Sequence, residues 1–84
     1  MDYDKLSFIL AGELRKQIVK ELESPKSPLQ LTKALKKSDS SISRSLTELE
    51  EQKIIKNLFP DKKKGRVYQL TKEGREILSS FKKQ

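Results

Sequence analysis

Between Lys53 and Leu70 the chain reads "KIIKNLFPDKKKGRVYQL", a β-rich stretch in a sequence otherwise patterned for amphipathic helices. Two short apolar runs flank Pro60-Asp61-Lys62-Lys63-Lys64-Gly65, and turn residues between such runs are the signature of a hairpin with a loop of about five residues. The chain is therefore expected to be mainly α with a small β-hairpin. In the second run Tyr68 and Leu70 alternate with Val67 and Gln69, which assigns Tyr68 to the core.

The helical segments carry their own boundaries. Leu14, Ile18 and Leu22 recur at helical spacing, predicting a helix over Glu13–Glu23 closed by Ser24 and Pro25. Ahead of it, residues 1–12 form a helical segment broken at Ala11-Gly12. There Tyr3, Leu6 and Leu10 share one stripe while Phe8 and Ile9 fall off it, so the segment is apolar on more than one side. In "SPLQLTKALKK", Ser27 is a cap, Pro28 takes the first helical position and Gln30 the third, completing a capping box. Leu31, Ala34 and Leu35 supply that helix's buried side. Thr71 caps a last helix with Ile77, Leu78 and Phe81 on its apolar side.

Ser38 opens another helix, with Asp39 where its charge suits the helix dipole, and the pattern runs to about Gln52. With Ile42 set at zero and about 100° per residue, Leu46 and Leu49 fall within about 40° of it. Ser40 falls at about 160°, Arg44 at about 200° and Thr47 at about 140°. Serine is a mediocre helix former that competes with the backbone for hydrogen bonds, so this cluster calls for a gain elsewhere. A continuous outward face of small hydroxyls around one guanidinium, with Ser43 at its edge and Ser45 near the buried side, is the form that gain takes.

Composition narrows the functions available. Eighty-four residues make one domain, residues 1–84. There is no apolar run long enough to span a membrane, and the start carries Asp2 and Asp4, not the basic region of a signal peptide. Cysteine and histidine are absent, which removes disulfides, thiolate or imidazole metal sites and nucleophile–histidine pairs. No catalytic, cofactor-binding or metal-binding residues are expected, and a cytoplasmic location suits the composition. Gly65 and Gly74 fit no phosphate-loop spacing, and Glu48, Glu50 and Glu51 read as a solvated helix flank. The net charge of +7 is regional: Met1 to Gln52 balances nine Lys/Arg against nine Asp/Glu, whereas Lys53 to Gln84 sets ten against three. That asymmetry points to a polyanionic partner for the C-terminal part, most simply nucleic acid.

Two helices joined by the short "KKS" link, the second opening on small polar residues, make a helix-turn-helix pattern, and a basic hairpin behind it makes the winged form. From "SPLQLTKAL" through "SSISRSLTELEEQKII" to "DKKKGRVYQLTKEG" the chain resembles the small winged helix-turn-helix transcription regulators of the ArsR/MarR type, particularly the short archaeal ones. The resemblance spans about Glu13 to Leu78. It implies a recognition helix over about 38–52 whose Ser40, Ser41, Ser43, Arg44 and Thr47 enter the major groove of double-stranded DNA. It also implies a wing, residues 59–67, whose Lys62, Lys63, Lys64 and Arg66 within 61–66 reach the flanking backbone or minor groove. The chain departs from the family pattern at Lys37 and Asp39, where apolar residues are common.

The chemistry of the residues agrees. Small hydroxyls let a helix approach DNA closely, an arginine can reach both acceptors of a guanine, and lysines neutralise phosphates. The expected function is a sequence-specific DNA-binding transcriptional regulator without catalysis, acting as a homodimer held by Tyr3 to Leu10 and the last helix around Phe81. The rival is a winged-helix protein-interaction module of transcription machinery, which a neutral or acidic wing and large apolar residues on the third helix's outer face would favour. Capping alone accounts for Ser27 and Ser38. The residues name neither an effector nor an operator.

Overall fold

The computed structural model describes residues 3–61 and 65–82. Five helices and one hairpin follow in the order α1 (Tyr3–Leu10), α2 (Glu13–Glu21), α3 (Pro28–Leu35), α4 (Asp39–Glu51), β1 (Ile55–Asn57), β2 (Tyr68–Leu70) and α5 (Lys72–Lys82). The hairpin is antiparallel, with Ile55 opposite Leu70 and Asn57 opposite Tyr68. Helices α2, α3 and α4 pack together, the hairpin continues from α4, and α5 returns onto α2 and β2. This is a winged helix-turn-helix.

A single apolar core draws on every element. Ile18, Val19 and Leu22 of α2 and its end meet Leu31 of α3, Ile42, Leu46 and Leu49 of α4, Ile54 and Ile55, Tyr68 and Leu70, and Ile77, Leu78 and Phe81 of α5. Tyr68 is buried as expected from its alternation. Two positions differ from the sequence pattern. Ala34 is exposed, so the apolar side of α3 rests on the buried Leu31, with Leu35 half-buried. On α1 it is Ile9 that is fully buried, with Leu6 and Phe8 packed beside it, while Tyr3 and Leu10 of the expected stripe stay exposed. The helix is only eight residues long and lies across α2, so its orientation is set by tertiary packing, which selects Ile9 over the longer-range stripe.

The caps stand where the sequence puts them. Ser27 Oγ accepts from Gln30 N–H at 3.2 Å while Ser27 N–H donates to Gln30 Oε1 at 2.8 Å. Helix α2 ends at Glu21, two residues before the expected Glu23, because Leu22 leaves the helical region and Lys26 Nζ donates to the Glu21 carbonyl. Lys36 adopts a left-handed conformation at φ 55° to turn α3 into α4, a job glycine does more cheaply. Lys53 repeats the device at φ 60° where α4 gives way to the hairpin.

Two junctions fix the wing against the helices. Lys26 N–H donates to Tyr68 O at 3.1 Å and Tyr68 N–H to Lys26 O at 2.8 Å, a one-residue third strand ahead of α3. At the other end the Ile54 carbonyl accepts from Thr71 N–H at 3.0 Å, and the Thr71 hydroxyl proton is shared between the Lys53 carbonyl at 2.7 Å and the Ile54 carbonyl at 3.0 Å. Thr71 Oγ1 in turn accepts from Gly74 N–H at 3.1 Å, which is the expected α5 cap. Gly74 owes its place to this contact: a Cβ there would stand 2.2 Å from the Ile54 carbonyl oxygen.

Candidate nucleic-acid interface

Helix α4 is held with one side in the core and the other in solvent. Ile42, Ser45, Leu46 and Leu49 are buried, so Ser40, Ser43, Arg44 and Thr47 are turned outward together, as is Ser41 at the start of the helix. Ser38 anchors the first turn: its Oγ accepts from Ser41 N–H at 3.2 Å and donates to Ser41 Oγ at 3.0 Å. Thr47 Oγ1 donates to the Ser43 carbonyl at 3.0 Å, which spends its proton inside the helix and leaves its lone pairs outward. Ser40, Ser43 and Arg44 make no side-chain hydrogen bond or ion pair among the described residues. All five of these side chains are exposed on α4, with Ser41 and Ser43 on opposite flanks of Ser40, Arg44 and Thr47.

Three of the four acidic residues of α4 lie in its second half. Glu50 and Glu51 lie exposed in its last turn, and Glu48 is paired with Arg15 of α2 at 2.9 Å. Asp39 places an anion at the N-terminal edge of the serine face, and the exposed Glu51, one turn past Thr47, places another at its C-terminal end. The first-turn position of Asp39 serves the helix dipole.

On the wing, Gly65 turns the chain at φ 76° and Arg66 is exposed directly after it. Lys62, Lys63 and Lys64 lie outside the described residues. Arg66 and Gly65 face the start of α3 across an open cleft of about 390 Å³, completed by Ser27, Pro28 and Leu29. The wing base and the first helix of the helix-turn-helix therefore share one surface. No local sequence pattern reports this cleft, because one wall is the start of α3 and the other lies beyond α4 and β1 in the chain.

Neither a protein-family model nor a curated protein sequence matches the chain. Solved structures do. The reduced form of the transcriptional regulator YodB from B. subtilis superposes with a TM-score of 0.79 at 22% identity, covering 95% of this chain and 81% of that one. Quinone-bound YodB gives a TM-score of 0.78 at 21% identity over 99% of this chain and 90% of that one. The reduced form of MarR from E. coli gives 0.77 at 21% identity over 92% of this chain, which spans only 59% of MarR. Likeness at this level of identity establishes the winged-helix fold. The chain has no cysteine, so neither a disulfide nor a thiol adduct can form on it.

Proposed function

We propose that this chain is a DNA-binding transcriptional regulator that reads double-stranded DNA as a homodimer. In this reading α4 enters the major groove through Ser40, Ser41, Ser43, Arg44 and Thr47. Lys62, Lys63, Lys64 and Arg66 of the wing neutralise the flanking backbone or line the minor groove. The observation that carries the reading is the outward face of α4: an arginine with no partner among the described residues, set among small hydroxyls on a helix whose opposite side is locked in the core. Such a face can come close to base edges, and its guanidinium has both donors free for a guanine.

Three further features support it. The motif resemblance to the ArsR/MarR type, and to its short archaeal members, covers both the recognition helix and the wing. The excess positive charge belongs to residues 53–84, the segment that contains the wing. Tyr3 and Leu10 on α1 remain 73% and 45% exposed, an apolar surface suited to a second copy. Phe81, by contrast, is 9% exposed and packs within the protomer, so α1 is the main dimer contact in this proposal. A regulator of this kind works in the cytoplasm without catalysis. The protein-interaction alternative loses its main support because α4 exposes no large apolar side chain.

Selection of bound fragments from random and genomic DNA tests the proposal. The expected outcome is an inverted repeat bound at least about 10³-fold more tightly than random sequence, with half-sites about one helical turn or a multiple apart. Absence of enrichment, with weak binding that ignores salt, would refute DNA reading and favour a protein partner.

A further inference from the structure

Helix α1, which carries the exposed Tyr3 and Leu10, and helix α4, which carries the serine-arginine face, are both gripped by one side chain of α2. Arg15 Nη1 donates to the Phe8 carbonyl oxygen at 3.0 Å, and Arg15 Nη2 donates to Glu48 Oε2 at 2.9 Å. Its guanidinium carbon stands 3.9 Å from the centroid of the Phe8 ring. The group is half-buried, with 23% of the Arg15 side chain and 36% of the Glu48 side chain exposed.

Each contact has a definite physical purpose. The last carbonyls of α1 have no partners within the helix. Ala11 and Gly12 N–H groups take those of Ser7 and Ile9, and Arg15 takes that of Phe8, placing a cation at the negative end of the helix. Glu48 sits on α4 between Thr47 of the outward face and Leu49 of the core. The break between α1 and α2 is shaped around the arginine: a Cβ at Gly12 would come within 3.0 Å of Arg15 Cδ and 3.3 Å of Nη1. A guanidinium is planar and presents its donors in a fixed fork, so its two bonds set a direction between two helices that a lysine ammonium would not hold.

We infer that Arg15 is a positioning residue that couples α1 to α4, so that the seating of α1 against a second copy is transmitted to the helix proposed to read DNA. Dimer assembly and sequence reading are then linked through one guanidinium. The consequence for DNA rests on the function proposed above, whereas the coupling between helices does not.

Hydrogen exchange of the free, full-length chain tests the coupling directly. Glu48→Gln removes the charge on α4 without touching α1, and it should speed exchange of the Ala11 and Gly12 amides by about 3- to 10-fold. Glu51→Gln, at an exposed position in the last turn of α4, should leave those amides unchanged. Unchanged Ala11 and Gly12 exchange in Glu48→Gln, or acceleration spread evenly over the whole chain, would overturn the inference. A second arm measures DNA. Arg15→Lys and Glu48→Gln should each weaken operator binding by about 3- to 10-fold while random-DNA affinity and the salt slope stay as they are. A slope flattened by about one unit in Arg15→Lys would make Arg15 a phosphate contact and overturn its positioning role. Faster Ala11 and Gly12 exchange in Glu48→Gln, together with a parent chain that binds no DNA, would refute the proposed function and uphold the coupling.

Discussion

Replacing a glycine by alanine inside a helix normally stabilises it, by about 1 kcal/mol from propensity. At Gly74 the opposite is expected, and the structure sets the size. The added Cβ would meet the Ile54 carbonyl oxygen at 2.2 Å and Leu70 Cδ2 at 3.1 Å, against the 3.4 Å where ordinary contact begins. The oxygen would have to retreat by about 1.2 Å, yet it accepts from Thr71 N–H at 3.0 Å and shares with the Lys53 carbonyl the Thr71 hydroxyl proton. Moving it strains the N–H bond at about 1 kcal/mol, while the hydroxyl keeps its Lys53 acceptor, and overpacking against Leu70 adds about 1 to 3 kcal/mol. After subtracting the propensity gain, Gly74→Ala should lose about 1 to 3 kcal/mol. For a domain of this size that lowers the melting temperature by roughly 5 to 25 °C, measurable by thermal unfolding followed by circular dichroism. Gly65→Ala is the companion measurement. Among the described residues no atom beyond its chain neighbours lies within 4 Å of its Cβ, but its φ is +76°, so the expected cost is about 1 to 2 kcal/mol of backbone strain. A Gly74→Ala protein as stable as the parent, within about 0.5 kcal/mol, would show that α5 can slide off Ile54 freely and would refute the reasoning.

Arg44→Ala should weaken operator binding by about 1 to 3 kcal/mol while barely changing affinity for random DNA, as read by competition titration, because only a base-edge contact discriminates. Replacing Lys62, Lys63 and Lys64 together by alanine should flatten the slope of log K against log salt by roughly 1 to 3 units, weaken operator and random DNA nearly alike, and change stability by no more than about 0.5 kcal/mol. Tyr3→Ser combined with Leu10→Ser should shift sedimentation at tens of micromolar from dimer toward monomer without lowering the melting temperature of the protomer, since both side chains are exposed. Lys36→Gly should raise stability by about 0.5 to 1 kcal/mol in urea unfolding, because φ 55° suits glycine and strains lysine.

What the sequence makes legible is what local chemistry determines. Ser27 with Pro28 and Gln30, Ser38 with Asp39, and Thr71 announce three helix starts, and the alternation at Tyr68 and Leu70 announces a half-buried strand; all stand in the structure. The outward face of α4 is legible too, since it needs only the helical period and a cap. The illegible features are made by contacts between distant residues. Arg15 and Glu48 lie 33 positions apart, and the Lys26–Tyr68 pairing joins the two ends of the helix-turn-helix and wing unit. Left-handed turns at Lys36 and Lys53 give no signal because neither is glycine or asparagine. Gly74 carries a signal that local reading misassigns: as a glycine in a helix it suggests weakness, whereas its lack of a side chain is what lets Ile54 and Thr71 close on α5.

The one-residue strand at Lys26 also bears on how the molecule meets its own kind. A hairpin of three-residue strands offers two open edges, each a template on which another chain can add a strand and begin to aggregate. Lys26 occupies the outer edge of β2 through both hydrogen bonds of Tyr68, so that side is closed to recruitment. The remaining edge, along β1, is only three residues long and carries the exposed Lys56, a short charged rim that repels a like strand. Among the described residues the sheet thus offers one covered border and one short, charged one, so the homodimer proposed above would form through the helical surface of α1, a closed pairing that does not grow into fibres.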